Sequence, residues 1–332
     1  QNTQLHGRNV HMKGKILTLA VAAAAAAAPM MAQSAEIYGR AQAGLEYRSD
    51  DDNAVDDVWD VGSGGHARWG IVGSEDLGNG LKGIYKYEWD MRDASTGDNS
   101  RTNQEKTRVF YVGLQGDFGT LTLGRNWLPV FGRLAPGASW VQGGRNASGA
   151  YAGIMGPLGF RMGNLVTYDL PKMGAFSAGL ALNFSNQNPG EEGVDVWAVG
   201  ASYKEGPLYI GGAWQSETSA GGVDTDRYGI NANFAFDAFK IRGAYYGNDT
   251  TGNENDGWVI GAEGKFDNNT VYAFYETWET ANGTVDNDQI RLLFHHHMSK
   301  TFRLFAEYNH CEADGDEDRD AFEVGFLQFW KL

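Results

Sequence analysis

A single cysteine, Cys311, in a chain of 332 residues excludes a disulfide framework within one chain. It is read as an incidental thiol beside an acidic loop. Past Ala35 no apolar run approaches the ~20 residues that a membrane-spanning helix needs. Basic charge is also short: 27 Lys and Arg stand against 42 Asp and Glu, a formal net charge of −15. That balance argues against nucleic acid as a partner, because binding there depends on neutralising phosphates. Gly-x-Ser-x-Gly, His-Glu-x-x-His and Walker-type runs are missing, and no loop supplies a persuasive Ser or His dyad. The expectation is a protein that is not an enzyme and needs no cofactor.

The most local absence is of acid. From Phe118 to Tyr168 the chain runs 51 residues without Asp or Glu, and its charges are Arg125, Arg133, Arg145 and Arg161. Nine glycines and three prolines between Asn126 and Gly163 forbid one long helix or strand there. Long irregular stretches in compact proteins are usually functional. The stretch at about 126–163 is expected to fold into the lumen of a membrane barrel and narrow it.

The N-terminal region has the pattern of export. Residues 1–11 precede the first methionine and match nothing that follows, so they are set aside as upstream sequence. Lys13 and Lys15, the apolar Ile16 to Ala28 and the break at Pro29 form a secretory signal over 12–35, with cleavage expected after Ala35. The remaining 36–332 carries 24 basic and 42 acidic residues, net −18.

What recurs after Ala35 is alternation with a period of two, the pattern of a half-buried strand. In 227–236, Tyr228, Ile230, Ala232, Phe234 and Phe236 share one face, and Arg227, Gly229, Asn231 and Asn233 the other. Phe239, Ile241, Gly243 and Tyr245 repeat it against Lys240, Arg242, Ala244 and Tyr246. Later strands set Ile290, Leu292 and Phe294 against Gln289 and Arg291, then Phe302, Leu304, Ala306 and Tyr308 against Arg303 and Glu307. A large soluble all-β protein would alternate in the same way. Two features favour a barrel in a bilayer: no second apolar layer exists to cover these faces, and short turns alternate with long acidic loops. Short turns fall at Asp76–Gly80, Asp237–Ala238 and Met298–Lys300, and long loops at Ser49–Gly65, Asn248–Gly257 and Glu312–Asp320. Seven hairpins plus strands at 36–48 and near 321–330 make sixteen. Trp69, Tyr85, Tyr87, Trp89, Tyr245 and Trp258 are candidates for the interfacial aromatic girdles.

Along Glu36-Ile37-Tyr38-Gly39-Arg40, Ala67-Arg68-Trp69-Gly70, Gly73-Ser74-Glu75-Asp76-Leu77-Gly78-Asn79-Gly80-Leu81, Lys106-Thr107-Arg108 and Phe118-Gly119-Thr120-Leu121-Thr122-Leu123-Gly124-Arg125, the chain resembles the trimeric general diffusion porins of Gram-negative outer membranes. The resemblance implies an all-β fold, a sixteen-stranded antiparallel transmembrane β-barrel with an inward-folded third loop, assembled as a homotrimer among outer-membrane lipid and lipopolysaccharide. It also implies a passive channel for small hydrophilic solutes and ions, with basic wall residues facing the loop. Those wall positions carry over as Arg40, Arg68 and Arg108, with Arg161 at the end of the loop; Arg125 and Arg133 join them as constriction candidates. Alternation sends Arg40 and Arg68 inward, and Arg108 too if Val109 and Tyr111 face lipid. The chain departs from the family in lacking a Pro-Glu-Phe-Gly-Gly run on the loop, so the acidic half of the constriction field is missing there. It also ends with Lys331 and Leu332 after Trp330 instead of on an aromatic residue.

Guanidinium stays charged at any working pH and orients anions. The alternative for these arginines is pairing with Glu46, Glu88 or Asp90. Acidic runs at the mouth, Asp50-Asp51-Asp52 and Asp314 to Asp320, gather cations. Screening over ~8 Å at physiological salt leaves the local arginines to decide, so weak or anion-leaning selectivity is expected. A substrate-selective channel for anions or short sugars, with Trp127, Phe131 and Trp140 as stacking surfaces, is one alternative. A barrel whose acidic loops act as adhesin or receptor is the other. His295-His296-His297 offers two side chains on one strand face with no further ligand in view, and no metal site is assigned.

Overall fold

The computed structural model describes residues 34–50, 58–62, 67–91, 106–139, 141, 149–156, 159–184, 193–218, 222–280, 284–313 and 318–332. Residues 12–33 of the signal-type segment, the acidic runs at 51–52 and 314–317, Trp140 and Arg145 lie outside the described residues; Ser34 and Ala35, the last two of that segment, begin β1.

The strands are β1 (Ser34–Asp50), β2 (Val58–Gly62), β3 (Arg68–Gly78), β4 (Leu81–Asp90), β5 (Lys106–Gly116), β6 (Gly119–Trp127), β7 (Arg161–Asp169), β8 (Phe176–Asn183) and β9 (Val196–Glu205). They continue with β10 (Leu208–Thr218), β11 (Asp224–Phe236), β12 (Phe239–Thr250), β13 (Asn253–Phe266), β14 (Asn269–Thr280), β15 (Val285–His297), β16 (Phe302–Ala313) and β17 (Arg319–Lys331). Neighbours in sequence pair antiparallel. β1 closes the sheet against β17, from Tyr38↔Lys331 to Asp50↔Arg319. β2 and β3 occupy one barrel position, since β1 pairs with β3 over Ser34–Arg40 and with β2 over Gly44–Arg48. Seventeen strands therefore fill sixteen positions, and the expected all-β sixteen-stranded antiparallel barrel is what forms. Closure leaves no strand edge, which satisfies every ladder group where no water can.

The faces follow the alternation. Phe234, Ile241, Ile260, Ile290, Leu292 and Phe326 are exposed on the outside. Their cross-strand partners continue that face, as in Phe234↔Ile241 and Leu304↔Phe326. Inside lie polar and charged groups such as Gln42, Asn231, Arg242, Glu276, Arg291 and Glu307. An apolar exterior over a polar interior inverts a soluble core, and a bilayer is the solvent that stabilises it. Trp69 and Trp89, opposite one another on the outer face, stack at 4.2 Å and 11°.

Three local expectations are corrected. On β5 the outward residues are Phe110, Val112 and Leu114, all exposed, while Val109 is fully buried. The register slips between Glu88 and Trp89, from Glu88↔Val109 to Trp89↔Thr107, so Arg108 is the extra residue of a β-bulge. Arg108 thus reaches the lumen through the bulge and not through the alternation. Residues 58–62 of the expected first loop form β2. The expected loop at 248–257 is a hairpin: β12 and β13 run to Thr250 and from Asn253, joined by Thr251 and Gly252 at positive φ. That pairing suits the right-handed twist of the flanking strands.

Candidate pore constriction

The acid-free stretch folds inward. Helix α1 (Pro129–Leu134) starts with proline at its first turn, where φ is already set and no amide is needed. It buries Val130 and Leu134 against β9, β10 and β11. Helix α2 (Gly149–Met155) buries Ala150, Tyr151, Ile154 and Met155 against β12, β13 and β14. Wall side chains hold the loop by its backbone. Tyr209 and Asn231 donate to the Arg133 carbonyl at 3.0 and 2.5 Å, Asn233 to Pro136 O at 3.2 Å, and Asn248 to Ile154 O at 2.9 Å. Glu276, fully buried on β14, accepts from the Ser139 hydroxyl and from the Ala150 amide at 3.1 Å. Arg291 on β15 donates to Ser139 O and is paired with Glu307, each at 2.7 Å.

The opposite wall carries the arginines. Arg40 on β1 sits directly across from Arg68 on β3, and Arg68 across from Asp90 on β4. Glu88 is the hub: Arg108 Nε lies 2.9 Å from one oxygen, while Arg68 Nε at 3.7 Å, Lys86 Nζ at 3.6 Å and the Tyr38 hydroxyl at 2.7 Å surround the other. Arg108 also reaches Asp90 at 3.5 Å. Arg161, on β7, lays its guanidinium over Trp127 at 4.5 Å from the ring centroid. Its charge is repelled by those of Arg108 and Arg125. Of the partners weighed as the alternative for these residues, Glu88 and Asp90 do pair with them, while Glu46 meets Arg48 at 3.2 Å. That pairing neutralises only part of the charge, because Arg40, Arg68, Lys86, Arg108, Arg125 and Arg161 outnumber the two carboxylates.

Channel geometry and chemistry thus agree on a lumen narrowed by a loop without acid on one side and a cationic wall on the other. A sequence profile described as Gram-negative porin matches residues 18–316. The chain is a Gram-negative porin. Among its relatives, outer membrane porin protein 32 of Delftia acidovorans is 30% identical over 89% of this chain and 88% of its own length. An outer membrane porin protein of Bordetella pertussis is 27% identical over 75% of this chain and 71% of its own. Among solved structures, an anion-selective porin from Comamonas acidovorans superposes with a TM-score of 0.77 at 22% identity, covering 90% of this chain and 100% of that one. Salmonella typhi OmpF in complex with daunomycin gives 0.70 at 15%, over 89% and 97%. The porin resides in the outer membrane and forms a passive channel.

Of the candidates read from the sequence, Arg40, Arg68, Arg108, Arg125 and Arg161 come together in the porin. Arg133 does not. It sits on α1, and its Nη2 lies 3.3 Å from Asp169, at the other end of β7 from Arg161 and outside the ladder. Trp127 and Phe131 stack at 4.3 Å, and Arg161 covers Trp127 as well, so these rings serve the loop's own packing and not an open sugar platform. Phe131 further meets Tyr151 and Phe160. The Tyr151 hydroxyl donates to Gly159 O at 2.7 Å, and burial pushes it well above the usual phenol range. Lys86 and Arg303 join the site without having been singled out by the sequence. Both lie on inward phases, and Arg303 joins because β17 closes on β1 and brings its charge within range of Arg40. Lys331 and Leu332 continue the closing seam, with Leu332 N donating to Ile37 O at 2.8 Å.

Proposed function

We propose that this porin is weakly to moderately anion-selective, and that Arg40, Arg68, Arg108, Arg125 and Arg161, with Lys86 and Arg303, set that preference at the constriction. The observation that carries it is the cationic excess around Glu88 facing a loop without acid. An anion in the gap meets fixed guanidinium groups whose charge no pH in use removes. The acidic outer loops lie in salt that screens them over ~8 Å, so they act on capture at the mouth more than on passage. The similarity to a porin described as anion-selective supports the reading. Work as a channel and not as an enzyme is supported by the family. A homotrimer is supported by the trimer form of a structural neighbour, OmpT of Vibrio cholerae. Export through a signal segment over 12–35 is part of the same proposal.

The test is the reversal potential of the refolded porin in a planar bilayer under a KCl gradient. Wild type is expected to lean towards chloride, and Arg68→Ala and Arg108→Ala to move the potential towards zero. A cation-selective wild type would mean that the acidic loops win.

A further inference from the structure

At the short-turn end of β9 to β13 lies a cavity of about 350 Å³ that the ladder does not touch. Lys204 at the end of β9, Lys240 at the start of β12 and Lys265 at the end of β13 line it, with Tyr209 and Asn233. The strand register puts all of these on the lumenal face, through Lys204↔Tyr209, Tyr209↔Asn233 and Lys240↔Glu263. The strands here are joined by short turns, at Gly206–Pro207, Asp237–Ala238 and Asp267–Asn268, which in such barrels face the periplasm. Tyr209 and Asn233 are also the side chains that donate to the loop carbonyls of Arg133 and Pro136, so the cavity adjoins the seat of the loop.

The charges of the cavity do not balance. Glu263 is its one strand carboxylate, and both of its oxygens are taken: Arg242 lies at 2.5 Å and Lys265 at 3.4 Å. Asp237 is the other acid in the lining, on the turn. Among the described residues no salt bridge reaches Lys204 or Lys240; Lys240, across from Glu263, is attracted by that carboxylate but repelled by the charges of Arg242, Lys265 and Lys204. Such crowding of ammonium groups beside neutral donors is stabilised by an anion between them.

We propose that this cavity is a second anion site, which takes small doubly charged oxyanions of the phosphate and phosphate-monoester class as they leave the constriction. It rests only on the porin being a channel and does not need the ladder to set the sign of selectivity. Lysine supplies point charges on flexible stems, which suits transient capture and release. Conduction requires binding that is weak enough to let the solute leave.

Two experiments test it, with inorganic phosphate as the probe. In the wild-type porin, amine acetylation read by mass spectrometry should slow at Lys204, Lys240 and Lys265 as phosphate is added, and not at Lys172 or Lys300. Uniform slowing, or none, overturns the proposal. In bilayers, phosphate should reduce the KCl current saturably, and the half-blocking concentration should rise about tenfold or more in K204Q/K240Q/K265Q, as the loss of charge-assisted contacts implies. An unchanged value in that variant assigns the block to the ladder and overturns the site. A wild type without anion preference that still shows local protection would sink the ladder reading and leave this one standing.

Discussion

Glu88 shows how much a single residue decides in this lumen. Its carboxylate holds Arg108 at 2.9 Å and lies within 3.7 Å of Arg68 and Lys86, so it fixes the positions of the cations whose charge it partly cancels. Glu88→Gln keeps the shape and removes the cancellation. The expected outcome is a reversal potential shifted further towards chloride, read under the same KCl gradient as the wild type. Breaking one side of a buried pair costs about 3–5 kcal/mol in a dry core, and less here because the lumen is wet. An unchanged potential with loss of expression would instead make Glu88 purely structural. Most of this cluster is legible in the sequence. Arg40 and Arg68 stand at positions where alternation leaves no doubt about the face. For Arg108 alternation gives the right side for a wrong reason: Val109, Phe110, Tyr111, Val112 and Leu114 are apolar on both phases, and a period of two cannot choose between phases in such a run. Only the bulge opposite Glu88 resolves it.

At the scale of the element, the constriction loop can be located but not folded from sequence. The absence of acid and the spacing of Gly and Pro mark it. Its seat depends on contacts such as Asn231 to Arg133 O and Ser139 to Glu276, between residues far apart in the chain, for which local pattern carries no signal. The seat makes two predictions. Gly211 on β10 admits the loop because a Cβ there would lie 2.3 Å from the Arg133 carbonyl oxygen, which is backbone and cannot swing aside. Gly211→Val should lift α1 from the wall. Glu276→Ala removes the acceptor of both Ser139 and the Ala150 amide, and charge-assisted bonds of this kind contribute roughly 1.5–3 kcal/mol each. Both variants should still form barrels, with single-channel conductance that is altered and broadened across channels as the loop samples several positions. A sharp wild-type conductance in both would show that the loop is held elsewhere. The hairpin from Tyr228 to Tyr245 is legible throughout, since its large apolar residues lie on one phase only.

For the whole molecule, stability rests on closing the sheet, because an open barrel would present two strand edges to lipid with their amides unsatisfied. The seam joins β1 to β17. Ile37 and Leu332 exchange backbone hydrogen bonds at 3.2 and 2.8 Å, and Lys331 meets Glu36 at 2.5 Å. Past Trp330, Lys331 and Leu332 hold a place in the ladder. Deleting them removes two backbone hydrogen bonds worth about 1 kcal/mol each and an exposed ion pair worth about 0–1 kcal/mol. Lys331→Gln removes only the ion pair. The deletion should therefore lower the midpoint of urea unfolding in detergent micelles clearly, while Lys331→Gln should barely move it, and added salt should not rescue the deletion. Equal losses in the two variants would mean that the seam is held by charge, and the backbone ladder at Leu332 would then contribute little to closure.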